Sequence, residues 1–192
     1  MSHLCAQSLL NTLIQVRSAD LPRRLENGQK LGDGIYFTWD SIGGSVDMST
    51  SRDDDTLFKT TAKVTGTPDW FNLCLILRLG QFLPGDVLGL TLDWKCSQTG
   101  QPQMLVRSSA RQGQFDDTKW QEALPWDAKR RVVTLMHTVE DADGLTGHDK
   151  YHTIIIPLPT EDFTLEMFDL QFFVSPRARG LRSAPIRLSK SV

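Results

Sequence analysis

Apolar and polar residues alternate at every second position along two neighbouring segments in the middle of the chain. The segment 71–79 reads FNLCLILRL, and the segment 86–96 reads DVLGLTLDWKC. A period of two places successive side chains on opposite faces of a strand, so the pattern predicts half-buried strands of an antiparallel sheet. Pro84 and Gly85 lie between the segments and favour a β-turn, because proline presets φ and glycine accepts a positive φ.

Strand-like segments continue on both sides of this pair. They read GIYFTWD (34–40), PQMLVRSS (102–109), RRVVTLMHTV (130–139), YHTIIIPLP (151–159), FDLQFFV (168–174) and APIRLSKSV (184–192). In the last of them, Ile186 and Leu188 are expected to begin a closing strand. About eight to ten short strands without helices between them predict an all-β fold, an antiparallel β-sandwich of the jelly-roll type.

Near the start of the chain, apolar residues recur every three or four positions instead. Leu9, Leu13 and Val16 follow this spacing, which predicts one amphipathic N-terminal helix that packs on the domain, with Ser2 as its cap. A polar segment with several glycines, RRLENGQKLGDG (23–34), follows. We therefore expect the helix and its connection in residues 1–30 and the β-sandwich domain in residues 31–192.

Composition restricts the classes of partner. The chain has 192 residues, 40% of them hydrophobic, which suits one globular domain. Its net charge of −2 offers no general attraction for nucleic acid, so none is expected as a partner. No apolar run approaches the roughly 20 residues of a membrane span, and membrane association is not expected. Because the first residues lack the pattern of a signal peptide, we expect a cytoplasmic protein, with export by another route left open.

Motifs for metal or covalent chemistry are weak. The three cysteines include no CxxC pair, which indicates reduced, buried thiols. The segment VEDADGLTGHDKYH (139–152) is rich in acids and histidines, but an EF-hand spacing would put Val139 and Lys150 at ligand positions. We interpret it as a solvated loop. No nucleophile motif, P-loop or dinucleotide fingerprint occurs, so we name no catalytic residue, no metal ligand and no cofactor.

The segment LRLGQFLPGDVLGLTLDWKCS (77–97) resembles the galactose-binding-like jelly rolls, which include many carbohydrate-binding modules. In that family a strand, a proline–glycine turn and an alternating strand follow one another. The ending 168–192 is similar to the family's final two strands, and the likeness covers roughly residues 35–192. It implies a jelly roll that binds carbohydrate. The family often has an aspartate near a structural calcium in its last strand, whereas APIRLSKSV has no acid, so calcium is not expected.

The tryptophans supply the first candidate binding residues. Trp120 and Trp126 flank a polar, proline-containing segment, whereas Trp39 and Trp94 share the phase of core residues. A loop tryptophan can stack on the apolar face of a sugar ring while nearby polar groups bind its hydroxyls. The alternative interpretation is that Trp120 and Trp126 close the ends of the sandwich.

Charged residues supply the others. Arg78, Asp93 and Arg107 have the outward phase of their strands and would line a groove if the sheet is concave; a solvated surface is the alternative. A second set, Arg177, Arg179 and Arg182, lies in the loop before the last predicted strand. Arginine binds carboxylates bidentately, so this loop suits an anionic glycan or an acidic protein partner.

Three functions are compatible with these patterns. The first is a noncatalytic module that binds an oligosaccharide through aromatic stacking and polar contacts. The second is a protein-interaction or structural β-sandwich. The third is a polysaccharide-active enzyme whose carboxylates converge only in the folded chain. We favour the first, in which the protein is not an enzyme.

Overall fold

The computed structural model of the chain describes residues 3–110, 113–147 and 149–177. These residues form one helix and twelve strands. They are α1 (Leu4–Ser18), β1 (Arg24–Leu25), β2 (Lys30–Gly32), β3 (Ile35–Trp39), β4 (Gly44–Ser51), β5 (Phe58–Gly66), β6 (Phe71–Gly80), β7 (Val87–Cys96), β8 (Gln103–Ser109), β9 (Phe115–Ala123), β10 (Arg131–Thr138), β11 (Lys150–Pro157) and β12 (Phe163–Ser175).

The strands form two six-stranded antiparallel sheets that pack face to face. Sheet 1 has the order β1-β4-β5-β12-β7-β10, and sheet 2 has the order β2-β3-β6-β11-β8-β9. One core lies between them, and the predicted all-β sandwich of the jelly-roll type is confirmed. The predicted closing strand at 184–192 lies outside the described residues.

The alternation read from the sequence decides which side chains fill this core. Leu73, Leu75 and Leu77 of β6 are fully buried, as are Leu88, Leu90 and Leu92 of β7. Trp39 and Trp94 are also buried, in agreement with their phase. Alternating leucines on β6 and β7, which belong to opposite sheets, are therefore part of the same buried core.

The alternation of β6 breaks at Arg78. The backbone of Arg78 has a positive φ of 64°. On β11, the adjacent residues His152 and Thr153 pair with Arg78 and Ile76 of β6, so Leu77, which lies between them, has no partner. Such a β-bulge adds one residue and reverses the faces of the residues that follow it. Regular alternation over 71–79 predicts that Leu79 shares the core phase of Leu73, Leu75 and Leu77. That prediction is wrong, because the bulge turns Leu79 outward and leaves it 52% exposed.

Helix α1 covers one side of the sandwich, as the spacing predicts. Cys5, Leu9, Leu13 and Val16 are its main buried apolar residues. The N-cap is His3, whose ring Nδ1 accepts a hydrogen bond from the Cys5 backbone N–H. The predicted cap, Ser2, lies outside the described residues.

The guanidinium of Arg52 secures the other end of the helix. It donates hydrogen bonds to the backbone carbonyls of Val16 and Ala19, which have no partner within the helix itself. The segment after the helix is more than the connection predicted from its composition. Its strand β1 pairs with β4, and β2 pairs with β3.

At the β10 edge of sheet 1, side chains rather than another strand accept hydrogen bonds from the backbone N–H groups. The carboxylate of Glu122 accepts a hydrogen bond from the backbone N–H of Met136, 3.1 Å away. The amide oxygen of Gln121 accepts one from the backbone N–H of Thr138, 3.3 Å away. Both acceptors come from β9, so sheet 2 supplies the atoms that complete this edge of β10.

A buried histidine joins three strands of sheet 2. His152 of β11 is fully buried; its Nδ1 accepts from the hydroxyl of Ser108 at 2.9 Å, and its Nε2 donates to the carbonyl of Gly80 at 3.2 Å. Burial lowers the pKa of His152 to about 4. The imidazole is therefore neutral in the folded protein near pH 7.

We expect Leu75→Ala and Leu90→Ala each to destabilise the protein by about 2–5 kcal/mol, because each removes buried methyl groups and leaves a cavity. Chemical denaturation measures the change in the free energy of unfolding. Val132→Ala is the control, since Val132 is largely exposed on β10. A loss below about 0.5 kcal/mol for both leucine variants, the range of surface substitutions, would contradict the assigned core.

We expect stability to fall as the pH decreases from 6.5 toward 4. The unfolded chain protonates His152 near pH 6.5, whereas the folded chain resists protonation down to about 4, so the unfolded state binds more protons in this window. Between pH 6.5 and 4.5 the loss is about 2 kcal/mol, since each pH unit contributes up to about 1.36 kcal/mol. Denaturation at several pH values between 4.5 and 6.5 measures it, and His152→Gln should flatten the dependence. An equal slope in both proteins would refute this role of His152.

Candidate functional site

A groove of about 660 Å³ crosses the outer face of sheet 2. Four adjacent strands, β3, β6, β11 and β8, supply its lining. The residues that line it are Tyr36, Thr38, Trp70, Asn72, Cys74, Leu105, Arg107, Ser109, Thr153, Ile155 and Pro157. Most of them have the phase opposite to the core residues of the same strands, so one alternation generates both the core and the groove.

Strand register sorts the lining into rows. In one row, Tyr36, Cys74, Ile155 and Leu105 lie opposite one another on successive strands and form a largely apolar floor. The next row on one side contains Thr38, Asn72 and Pro157. The next row on the other side contains Thr153, Arg107 and, on β9, Asp117. Polar groups therefore flank an apolar strip.

An exposed tryptophan lies at the β3–β6 end of the groove. Trp70, immediately before β6, is 43% exposed. Its backbone carbonyl accepts a hydrogen bond from the Asp40 N–H at 3.0 Å. The Asp40 carboxylate accepts from the backbone N–H groups of Ile42, Asp69 and Gly43, and these bonds lower its pKa. An ionised Asp40 thus ties the loop before Trp70 to the loop after β3.

Further exposed aromatic side chains lie beyond the row of Arg107. Tyr151 is 38% exposed and Phe115 is 56% exposed. Both pair with Ser109, so Tyr151 of β11 and Phe115 of β9 lie on either side of β8. Leu79, displaced by the bulge, pairs with Tyr151 in the same row. The groove therefore has apolar or aromatic surface at both ends.

The polar groups on the groove floor are uncharged. Burial raises the pKa of the Cys74 thiol to about 11, although a hydrogen bond with Tyr36 opposes this rise. Burial likewise raises the pKa of Tyr36. Both side chains are therefore protonated near pH 7.

Arg107 is held firmly by its neighbours on β9. Its Nε and Nη2 donate to the two carboxylate oxygens of Asp117 at 2.8 Å and 2.7 Å. The ring centroid of Phe115 lies 4.3 Å from the guanidinium carbon. These hydrogen bonds lower the pKa of Asp117 and raise that of Arg107, so both remain ionised.

The charged residues predicted from strand phase do not form one site. Of Arg78, Asp93 and Arg107, the structure places Arg107 in the groove. Arg78 lies at the bulge and forms an ion pair with Asp33 in the turn between β2 and β3. Asp93 lies on the outer face of sheet 1, where Arg130 donates two hydrogen bonds to it at 2.8 Å and 2.6 Å. Strand phase cannot tell which sheet a strand joins, so residues from opposite faces were grouped together.

The tryptophans predicted as stacking platforms do not line this groove. Trp120 is 1% exposed, which contradicts the expected exposed ring. The segment expected to be a loop is strand β9, and Trp120 has its inward phase. Trp126 is half-buried against the core, and its indole lies close to Gly100, where a Cβ atom would be 2.5 Å from the ring. The interpretation that these residues close the sandwich describes their positions better.

The arginine loop is described only at its start. The backbone N–H of Arg177 donates to the carboxylate of Asp86 at 2.8 Å, and the Arg177 side chain packs against Gly85 in the turn before β7. Gly85 has the positive φ, 86°, expected of this turn. Arg179 and Arg182 lie outside the described residues.

Several aromatic residues that line the groove or lie beside it were missing from the sequence-based prediction. They are Trp70, Tyr36, Tyr151 and Phe115. Tyr36 and Tyr151 have the outward phase of strands rich in buried apolar residues, a signal that alternation alone could have supplied. Trp70 and Phe115 precede or begin strands, where the sequence pattern does not fix the direction of a side chain.

No protein-family model and no curated protein matches the chain. Solved structures match it in fold. The solution structure of CtCBM11 is 12% identical, with a TM-score of 0.51, and the match covers 82% of this chain and 98% of that chain. A family 11 carbohydrate-binding module from Clostridium thermocellum, in complex with a β-1,3-1,4-mixed-linked tetrasaccharide, is 11% identical, with a TM-score of 0.49 and coverages of 83% and 99%.

The CBM22-1 xylan-binding domain of Xyn10C from Paenibacillus barcinonensis is also similar. It is 12% identical, with a TM-score of 0.46, and the match covers 84% of this chain and all of that chain, 100%. The likeness to CtCBM11 confirms the predicted resemblance to the jelly-roll fold of carbohydrate-binding modules. At this identity it shows the fold alone.

Two further features concern the described residues as a whole. In residues 3–110, 113–147 and 149–177, no three histidine, cysteine or acidic side chains are grouped so that they could hold a metal ion. In the acid-rich segment, Asp143 instead accepts a hydrogen bond from His137, 2.9 Å away, and one from the Glu140 N–H. No helix in this part of the chain combines the length and apolar character of a membrane span.

We expect Trp70 to account for most of the fluorescence that iodide can quench. Trp39, Trp94 and Trp120 are buried and Trp126 is half-buried with its indole nitrogen inside, whereas the Trp70 indole is 43% exposed. Trp70→Phe should therefore remove most of the quenchable, red-shifted emission, while Trp120→Phe should remove mainly blue emission. An unchanged Stern–Volmer plot in Trp70→Phe would show that the indole is not exposed.

Proposed function

We propose that the protein is a noncatalytic carbohydrate-binding module, and that it holds an oligosaccharide in the groove on the outer face of sheet 2. The observation that carries this proposal is the combination of an exposed indole, Trp70, with an apolar strip flanked by hydrogen-bonding groups in a groove of about 660 Å³. Sites for small ligands commonly combine apolar surface with a few convergent polar groups.

The chemistry of a sugar ring suits this arrangement. One face of a pyranose ring carries mainly C–H groups and can stack on an indole, as other apolar groups stack on aromatic rings. The hydroxyl groups at the ring edge require hydrogen-bond partners. Thr38, Asn72 and Thr153 supply a hydroxyl, an amide and a second hydroxyl along the two sides of the floor.

The extent of the groove favours a chain of sugars over a single residue. Across the strands, three intervals of about 4.8 Å give a width of roughly 14 Å. Along the strands, the rows from Trp70 to Ser109 cover about eight residues, or roughly 27 Å at about 3.4 Å per residue. Trp70 at one end and the Tyr151–Phe115 row at the other can each contact a different sugar unit. An oligosaccharide is the ligand class that uses both ends.

The same geometry gives little support to catalysis in the groove. Glycoside hydrolysis commonly uses two carboxylates about 5–10 Å apart, on either side of the scissile bond. Among the described residues that line the groove, none has an acidic side chain. The carboxylate of Asp117 accepts hydrogen bonds from Arg107 with both oxygens, and the carboxylate of Asp40, near Trp70, accepts from three backbone N–H groups. The proposal is therefore a binding function.

We expect the wild-type protein to bind at least one soluble oligosaccharide with a dissociation constant in the micromolar to millimolar range, equivalent to roughly 4–8 kcal/mol. Trp70→Ala should weaken this binding about tenfold or more, because the stacking surface is lost, while the melting temperature stays nearly constant. Isothermal titration calorimetry against a panel that includes the mixed-linked tetrasaccharide, xylan and mannan fragments measures both proteins.

Val132→Ala serves as the control, because Val132 is an exposed apolar residue on the opposite sheet. It should bind as the wild type does. Equal affinity in Trp70→Ala and the wild type would refute the groove as the site. A panel in which the wild-type protein binds no glycan would refute the proposed function and leave the protein-interaction alternative.

A further inference from the structure

The groove contains one charged side chain among its described lining residues, and that charge is already compensated. Arg107 donates from Nε and Nη2 to the two oxygens of Asp117, and the Phe115 ring covers its guanidinium carbon. Asp117 lies directly opposite Arg107 in the β8–β9 pairing, so the register of adjacent strands maintains the pair. Asp117 thus occupies the bidentate fork of this arginine.

We propose that the groove selects neutral glycans, and that Asp117 enforces this selection by occupying the guanidinium fork that a sugar carboxylate or sulfate would need. The proposal rests on the proposed function and specifies its ligand class. Asp117 is thus a specificity-determining residue.

Competition for Arg107 explains the direction of the selection. Arginine binds a carboxylate, sulfate or phosphate best through two parallel N–H donors. A uronic acid must therefore displace Asp117 from Nε and Nη2, or bind elsewhere with its charge close to the Asp117 carboxylate. In the first case Asp117 loses its partner, and in the second case two like charges repel each other.

A neutral sugar avoids this competition. Within the described parts of the chain, the Asp117 carboxylate accepts hydrogen bonds from Nε and Nη2 of Arg107 but not from Nη1. A ring hydroxyl can accept from Nη1 while the Arg107–Asp117 pair stays intact. The other polar groups of the lining are hydroxyls, an amide and a thiol, and the pKa values of Tyr36 and Cys74 are raised by burial, so these two side chains add no charge near pH 7.

A nearby lysine does not change this balance. Lys119 lies on β9 opposite Leu105 and is exposed, outside the residues that line the groove. An ammonium group in water is screened by salt over about 8–10 Å. It attracts anions in general at low ionic strength, and experiments at about 0.15 M salt minimise that contribution.

The test compares neutral and anionic oligosaccharides of similar length on the wild-type protein and on Asp117→Asn. The probes are neutral β-glucan and xylan fragments, and oligogalacturonate and oligomeric alginate as uronates, each measured by calorimetry at 0.15 M salt. We expect the wild type to bind a neutral probe and to bind the uronates at least tenfold more weakly. Asp117→Asn should improve uronate binding at least tenfold, because the arginine fork is released.

Two variants separate this effect from a general change in charge. Asp116→Asn alters the net charge by the same amount, but Asp116 pairs with Lys150 rather than Arg107, so uronate binding should not improve. In the double variant Asp117→Asn, Arg107→Gln, the gain should disappear. If Asp117→Asn does not fold, as judged by its thermal melt, Asp117→Thr removes the same charge with a residue that favours strands.

The outcomes distinguish the two proposals. Wild-type binding of uronates as strong as that of neutral probes would overturn the selection while leaving the carbohydrate-binding function intact. Neutral binding with no gain of uronate binding in either Asp117 variant would overturn the role of Asp117 alone. A wild-type protein that binds none of the probes would overturn the proposed function, and this inference with it.

Discussion

The antiparallel register of β6 between β3 and β11 is the constraint on which the rest of the structure depends. It places Leu73 and Leu75 in the core and, by the same alternation, places Asn72 and Cys74 on the opposite face. A shift of one residue would exchange these two sets and bury the groove residues. The burial of the leucines therefore fixes the position of every polar group on the groove floor. In this protein the stability of the core and the geometry of the site follow from one pairing.

The sequence predicted those parts of the fold that depend on periodicity. The alternation in 71–79 and 86–96 identified both central strands and most of their buried faces, and the three- and four-residue spacing identified the helix. Alternation failed where a backbone irregularity intervened, since the bulge at Arg78 turned Leu79 outward. Alternation also gave no signal at Trp120. Most residues of β9 are polar and exposed, and its buried residues are Thr118 and Trp120, too few to form a recognisable pattern.

The candidate site was harder to predict than the fold, for a physical reason. Strand phase divides residues into two faces but does not assign a strand to a sheet, so Asp93 and Arg107 looked equivalent although they lie on opposite sides of the sandwich. Trp70 depends on a loop that the Asp40 carboxylate holds through three backbone N–H groups. Contacts between loops distant in sequence determine such positions, and a single sequence carries no periodic signal for them.

The side chains that complete the edge of β10 have a consequence for how copies of this protein behave together. A bare edge strand presents rows of backbone N–H and C=O groups that can pair with an edge of another molecule and begin an ordered aggregate. At Met136 and Thr138 the donors are already engaged by Glu122 and Gln121 of the neighbouring sheet. An incoming strand would have to break these hydrogen bonds before forming its own, and it would meet the charge of Glu122. Two surface residues of one sheet thus make the adjoining edge of the other sheet less available for pairing between molecules.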